Sequence, residues 1–307
     1  MRTRTTAWTP APATTADPDP KQRAEQFAEI IAGRRIVALT GAGLSTPSGI
    51  PDYRSPDSPS RRPMTIDAFM ASAESRRRYW ARNHVGWRFM DAALPNAAHF
   101  ALRDLQSNGI AAGVITQNVD MLHMKAGSSP VVDLHGSYGR VRCLNCQTQM
   151  SRHRLADELE AVNPGYAEQM ASRGAIEVAP DADAALDDIG NFVMIDCPHC
   201  GGILKPDIVY FGETVRKDVV DEAFALVDAT DALVVAGSSL TVMSGLRFVR
   251  HAATTGKPII IVNRGNTRGD DLATLKIDHR CEVVLPAVAV LLSQTYETNV
   301  ANSAALA

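Results

Sequence analysis

The chain lacks any strong excess of one charge. Its 31 Lys and Arg against 34 Asp and Glu leave a formal net charge of −3. That balance gives no bulk electrostatic reason to expect a partner surface of opposite sign, so neither a specific nucleic acid nor a membrane is expected. Long apolar runs are missing too. The longest, such as Ala232–Ala236 and Ile259–Val262, are strand-length, far short of the roughly 20 residues that span a bilayer. The N-terminal stretch MRTRTTAWTPAPATTADPDP has no apolar core of the kind a secretory leader needs. Arg2, Arg4 and its threonines imitate an organellar transit peptide, but four prolines spoil the amphipathic helix. Residues 1–20 are therefore expected to be a disordered tail. Cysteine is too scarce for a disulfide framework. Two x-x pairs and a lone Cys281 suit a metal and a reducing compartment, so a cytoplasmic location is expected. The preference for Arg over Lys, with abundant Ala, fits a GC-rich bacterial genome.

What is present reads as an ordinary globular composition, 45% hydrophobic and 21% charged over 307 residues, enough for one large domain plus a smaller module. Lys21–Gly33 has helical apolar spacing through Phe27, Ile30 and Ile31, with Gly33 as its stop. Ile36–Thr40 is a continuous apolar run, the pattern of a strand buried on both faces. Arg76–Ala93 and Ala98–Asn108 read as helices, Gly113–Thr116 and Val131–Leu134 as short strands. Helical Lys217–Ala229 and Gly245–Thr254 precede the buried strands Ala232–Ala236 and Ile259–Val262. Alternating strands and helices predict an α/β fold with a Rossmann-like parallel sheet. Residues 137–202 interrupt that alternation with both Cys pairs, a polar helix near Arg152–Ala161 and an acidic stretch (Asp181, Asp183, Asp187, Asp188) expected to be a mobile loop. The predicted organisation is a discontinuous nucleotide-binding domain (21–136 and 203–298), an inserted small zinc-binding module (137–202) and a C-terminal tail (299–307).

Cys143-x-x-Cys146 and Cys197-x-x-Cys200 each place two thiolates on one side of a tight turn, the bite tetrahedral Zn²⁺ needs. Four thiolates leave no open coordination position, so the one zinc is expected to be structural. His199 lies between two thiolates that already span the metal and is expected to be exposed. Against a nucleic-acid-binding zinc finger, the module is not strongly basic.

Gly41-Ala42-Gly43-Leu44-Ser45 directly follows a strand. Glycines there let backbone approach a pyrophosphate beside a helix N-terminus. A lone G-x-G is weak evidence. This one does not reach the third glycine of a hydride-transfer enzyme but runs into Ser48-Gly49-Ile50-Pro51-Asp52-Tyr53-Arg54. The Arg54 fork suits phosphate oxygens.

The run GAGLSTPSGIPDYRS (Gly41–Ser55) resembles the signature of the sirtuins, NAD-dependent protein deacylases. Thr116-Gln117-Asn118-Val119-Asp120, Leu134-His135-Gly136, Phe211-Gly212-Glu213 and Gly237-Ser238-Ser239 follow in the same order, then Val262-Asn263 and Cys281-Glu282. The resemblance covers about Glu25 to Pro286. Arg61-Arg62-Pro63, Arg78–Asn83 and Val85–Trp87 resemble its class II branch, which holds the fourth human sirtuin.

The resemblance implies that NAD is a co-substrate and an acyl-lysine protein or peptide the partner. Nicotinamide leaves and the acyl group passes from lysine to ADP-ribose. A base must deprotonate a ribose hydroxyl, and an imidazole titrates near neutrality. By resemblance His135 is that base and Asn118 its polar companion. Gly41, Ala42, Gly43, Ser45, Asp52, Tyr53 and Arg54 are expected to hold NAD. So are Gln117, Asn118, Val119 and Asp120, the last two reading the nicotinamide carboxamide. Gly237, Ser238, Ser239, Asn263, Arg264, Gly265 and Cys281 complete the expected set, Cys281 being equally readable as a packing thiol. Val209 and Phe211, in Lys205–Glu213, are expected to bind substrate beside an added peptide strand. Met121 departs from the small residue usual after that Asp. Other readings of the cleft are a mono-ADP-ribosyltransferase on the same NAD site, a Rossmann oxidoreductase, and a non-catalytic zinc-supported NAD sensor.

Overall fold

A computed structural model of the chain describes residues 17, 19–53, 63–172, 182–186 and 188–305, with side chains to 293. In chain order the helices are α1 (Pro20–Ile31), α2 (Ile66–Met70), α3 (Ala73–Ala92), α4 (Ala97–Ser107), α5 (Leu122–Ala126), α6 (Arg152–Val162), α7 (Tyr166–Ala171), α8 (Lys217–Asp228), α9 (Met243–Thr254) and α10 (Cys281–Ala305). The strands are β1 (Ile36–Thr40), β2 (Ala111–Thr116), β3 (Val131–Asp133), β4 (Gly136–Cys143), β5 (Gln149–Ser151), β6 (Leu204–Ile208), β7 (Ala232–Ala236), β8 (Ile259–Val262) and β9 (Leu275–Ile277).

Six strands form one parallel sheet in the order β3-β2-β1-β7-β8-β9. This is the Rossmann-like fold that the strand–helix alternation predicts. β1, β2, β7 and β8 are buried at every position. Their apolar runs fit because helices cover both faces. One face packs α1, α4 and α10 through Phe27, Leu102 and Leu285. The other packs α8 and α9 through Val227 and Phe248. The order reverses between β1 and β7, and the carboxyl ends of such a pair open the crevice where α/β sheets take ligands.

The second sheet is small and antiparallel, ordered β5-β4-β6. It begins at Gly136 and takes in Leu204–Ile208, so the metal-binding unit draws on residues either side of 137–202. Its core is shared with α2 and α3: Phe69, Tyr79, Trp80 and Trp87 pack with Val141, Leu155 and Leu204. Arg152 is wholly buried there, its guanidinium 4.9 Å from the Trp87 ring centre and 5.7 Å from that of Trp80.

Three expectations need adjustment. Asp183 is not part of a free acidic loop: it is buried and clasped by Arg82 at 2.6 and 3.1 Å. Asp181 and Asp187 lie outside the described residues. The segment 299–307 is not wholly a tail, because α10 continues to Ala305. Of the N-terminal stretch, residues 1–16 and 18 lie outside the described residues. Asp17 is docked, its N–H donating to the Asp278 carbonyl at 3.0 Å, while Asp19 caps α1 by accepting from the amides of Lys21 and Gln22. Among the described residues no helix is long and apolar enough to cross a membrane.

Candidate active site and metal centre

The motif residues gather along the carboxyl edge of the parallel sheet. β1 ends at Thr40 and delivers Gly41–Ser45; β2 ends at Thr116 and delivers Gln117–Asp120; β3 leads to His135; β7 delivers Gly237–Ser239; β8 delivers Asn263–Gly265. Two of these turns meet backbone to backbone at the crossover point. The Gly43 amide donates to the Gly237 carbonyl at 2.8 Å. Gly237 has φ +64°, and a Cβ on it would lie 2.2 Å from the Leu44 nitrogen. A Cβ on Gly41 would lie 2.7 Å from that of Ser238. Only glycine permits so close an approach, so at Gly41, Gly43 and Gly237 the switch-point edge is walled by backbone where any other residue would place a Cβ. A backbone-walled edge at this point of the sheet, with the Ser45, Ser238 and Ser239 hydroxyls along it, suits a dinucleotide's phosphates and ribose.

A polar network ties the strand ends together. Asn118 Nδ2 donates to the Gly41 carbonyl and to Ser45 Oγ, both at 3.0 Å. Ser45 Oγ in turn donates to Asp120 Oδ2 at 2.6 Å. Asp120 Oδ1 accepts from the Leu122 amide at 2.9 Å, which ties this carboxylate to the first residue of α5. Burial raises the Asp120 pKa against those hydrogen bonds. Gln117 Nε2 donates to Ser238 Oγ at 2.8 Å, linking β2 to β7. Met121 adopts φ +65°. Its thioether fills the space where a Cβ on Gly139 would come within 2.7 Å, which explains how the larger residue is accommodated.

His135 is half-buried at this edge. Its Nδ1 lies 2.9 Å from the Gln117 carbonyl and its Nε2 2.8 Å from Ser244 Oγ. A carbonyl only accepts, so Nδ1 carries the proton and Nε2 is the basic nitrogen. Desolvation lowers its pKa to about 4; the Gln117 contact opposes this and the Arg247 charge adds to it. The ring is thus neutral at physiological pH. The His135 carbonyl accepts from the Val209 amide at 2.8 Å, which pins the 209–213 loop beside it. Buried Lys205 reaches Glu213 at 3.0 Å and stacks 4.4 Å over Tyr210, while Glu213 accepts from the Tyr210 amide at 2.6 Å. Phe211 pairs its backbone with Met64 and Ile66, and its ring meets that of Tyr53 edge-on at 6.0 Å.

The β8 edge is a second cluster. Asn263 Nδ2 donates to the Arg264 carbonyl at 2.7 Å, Arg264 is exposed and lies 4.0 Å from Asp278, and the Gly265 amide donates to Asp278 at 2.9 Å. Cys281 is buried with Sγ 3.4 Å from the Val262 carbonyl, and burial pushes its pKa up to about 12. Its packing role is therefore real. Ser239 Oγ pairs with Thr241. Arg54 lies outside the described residues, as do Arg61 and Arg62.

The four cysteines meet as predicted. Their Sγ atoms lie within 4.8 Å of one another, with Cys143–Cys200 at 3.6 Å and Cys146–Cys197 at 3.7 Å. Tetrahedral Zn–S bonds of ~2.3 Å require sulfurs roughly 3.8 Å apart, so the set fits one structural zinc. Both turns are built for it: Gln147 and Gly201 take positive φ, and the Asn145 amide donates to Cys143 Sγ at 3.4 Å. His199 is exposed and outside the cluster, as expected.

Comparison with known proteins decides the lineage. The Sir2 family model matches residues 41–244. NAD-dependent protein deacetylase 1 of Mycobacterium avium (strain 104) is 59% identical over 268 residues, 87% of this chain and 95% of its own. The chain belongs to the Sir2 family. NAD-dependent protein deacetylase 1 of Streptomyces coelicolor is 48% identical, covering 90% of this sirtuin and 92% of the relative. Among solved structures, a Sir2–p53 peptide–NAD⁺ complex aligns with TM-score 0.65 at 29% identity, over 88% of this sirtuin and 98% of that chain. Sir2Tm bound to a propionylated peptide aligns with TM-score 0.68 at 30% identity, over 89% and 99%.

The sequence reading missed several residues of this sirtuin's cleft. Thr40 Oγ1 donates to Thr116 Oγ1 at 2.9 Å beneath the Asn118 turn. The ion pair between Lys205 on β6 and Glu213 on the loop after it has no local signal, although the segment itself does. Ser244 carries no motif signal, since its partner is 109 residues away; only the packing of α9 brings it in.

Proposed function

We infer that this sirtuin is an NAD-dependent protein lysine deacetylase, moving the acyl group from lysine to ADP-ribose and releasing nicotinamide. The observation that carries the reading is His135: a neutral imidazole with Nε2 as its basic nitrogen, at the sheet edge and linked through Gln117 to the glycine turns. The names of the M. avium and S. coelicolor relatives agree with it.

NAD⁺ supplies the ribose carbon that accepts the acyl oxygen and the nicotinamide that departs. In our reading Gly41–Gly43 and Gly237–Ser239 hold its phosphates, Gln117 and Asn118 its proximal ribose, and Val119 with Asp120 its carboxamide. Asn263, Arg264 and Gly265 hold the adenosine end, over a floor that includes Cys281; Asp52, Tyr53 and Arg54 are further NAD contacts on the same reading. His135 Nε2 takes a ribose hydroxyl proton, for which a ring kept neutral by burial is ready at any pH above its own titration. The Val209 amide is spent on His135, so its carbonyl is the group that would pair with a peptide strand, with Phe211 walling the acyl chain. We assign the chain to class II on Arg78–Asn83 and Val85–Trp87, and to the cytoplasm, where four thiols gathered for a metal would stay reduced.

Incubation with NAD⁺ and an acetyl-lysine peptide, followed by mass spectrometry, tests the proposal. Acetyl-ADP-ribose and free lysine peptide are expected. His135→Ala should keep its fold and lose turnover by at least about 100-fold. Wild-type rates in that variant, or mass gained by a protein acceptor in place of acetyl-ADP-ribose, would remove the assignment.

A further inference from the structure

The first turn of α9 is fitted to His135 and Gln117 at two consecutive residues. Ser244 is almost wholly buried, and its hydroxyl lies 2.8 Å from His135 Nε2. Next to it, Gly245 faces Gln117: a Cβ there would stand 2.7 Å from Oε1 of that side chain. Gln117 closes the circuit, because its carbonyl takes the other imidazole nitrogen at 2.9 Å. The ring of His135 is therefore gripped on opposite sides, by a backbone carbonyl that only accepts and by a hydroxyl that can donate or accept.

That difference in chemistry matters. The Gln117 carbonyl keeps a proton on Nδ1 in both charge states. The Ser244 hydroxyl donates to Nε2 while the ring is neutral. Nε2 has one lone pair, so the Ser244 hydroxyl yields that place to the ribose hydroxyl that delivers the proton, then rotates and accepts from the new N–H. The other group whose charge acts on the ring is Arg247, one turn further along α9, and it opposes protonation. No carboxylate among the described residues holds either ring nitrogen, so Ser244 is the partner positioned to receive the new N–H.

We propose that Ser244 is a positioning residue for His135: its hydroxyl holds the ring plane with Nε2 as the sole basic nitrogen and receives the N–H when that nitrogen is protonated. The proposal rests on the reading of His135 as the base, and its test separates the two.

Long-range ¹H–¹⁵N spectra of the full-length protein at neutral pH report the ring directly. Wild type should show one tautomer, with a hydrogen-bonded Nε2. In Ser244→Ala the Nε2 resonance should move to its unbonded position. Steady-state kinetics should show kcat lowered by about tenfold, the equivalent of one lost hydrogen bond, with KM for NAD⁺ changed less than about twofold. Ser244→Thr, which keeps the hydroxyl, should recover most of the loss. Adding Ser244→Ala to His135→Ala should cost nothing more. An unaltered His135 spectrum and unaltered kcat in Ser244→Ala, alongside an inactive His135→Ala, would overturn the role of Ser244 alone. An active His135→Ala would overturn the base assignment instead, whatever Ser244 does to the spectrum.

Discussion

Gly237 and Gly245 are both crowded glycines of the cleft, and alanine at each should fail differently. At Gly237, φ +64° costs a non-glycine residue about 1–2 kcal/mol. The new methyl would also sit 2.2 Å from the Leu44 nitrogen and 2.7 Å from the Gly43 carbonyl carbon. These are backbone atoms, so the two turns must part by roughly 1 Å, breaking the 2.8 Å bond between Gly43 and Gly237 at about 1 kcal/mol. The sum is about 2–3 kcal/mol, or roughly 3–5 °C of melting temperature for a domain of this size. At Gly245 the methyl meets only the tip of Gln117. Helix propensity gains up to about 1 kcal/mol, offset by about 1 kcal/mol if Gln117 leaves Ser238. Gly245→Ala should therefore melt within about 2 °C of wild type, while both variants bind NAD⁺ more weakly. Thermal melts with calorimetric NAD⁺ titration read both quantities. A Gly237→Ala protein that melts like wild type, or a Gly245→Ala protein that is the less stable of the two, would refute the reasoning.

Removing the metal should destabilise the small antiparallel sheet: Cys197→Ser, or the wild type treated with a strong chelator, should lose zinc by elemental analysis and melt several degrees lower, and an unchanged melt would contradict a structural role. Acid should unfold the protein through its histidines. Burial lowers the pKa of His99 and His135 to about 4 and that of His123 well below 6.5, so the unfolded chain binds more protons between pH 6.5 and 4. Stability is then present above pH 6.5 and lost as pH falls through that window, at about 1.4 kcal/mol per pH unit for each extra proton. Asp120 and Asp133, with pKa values raised by burial, offset part of it. Urea midpoints that stay flat from pH 6.5 to 4 would show the histidines to be solvated. Lys205→Met should raise KM for the peptide several-fold with NAD⁺ affinity intact, since the clamp it forms with Glu213 shapes only the 209–213 loop; equal losses for both ligands would argue against that division.

The elements legible in the chain were those whose signal is local. β1, β7 and β8 are runs of four or five apolar residues that begin and end where the pattern does, because a strand covered on both faces needs no polar alternation. Gly33 and Gly109 mark helix ends through their positive φ. The x-x spacing of the cysteines is itself half of a tetrahedral site. Those local rules determined the fold class, the metal and the lineage.

Pairing between distant segments was decided by the tertiary structure alone. β4 and β6 carry Arg140, Arg142 and Asp207, charges that look like loop until Asp207 is seen holding both arginines across the sheet. Asp183 reads as a solvated acid until Arg82 is folded onto it. Which nitrogen of His135 is basic depends on a carbonyl 18 residues away and a hydroxyl 109 residues away. Hydrogen bonds are short-ranged and directional, so the character of that imidazole exists only once packing has brought α9 and the β2 turn to either side of it.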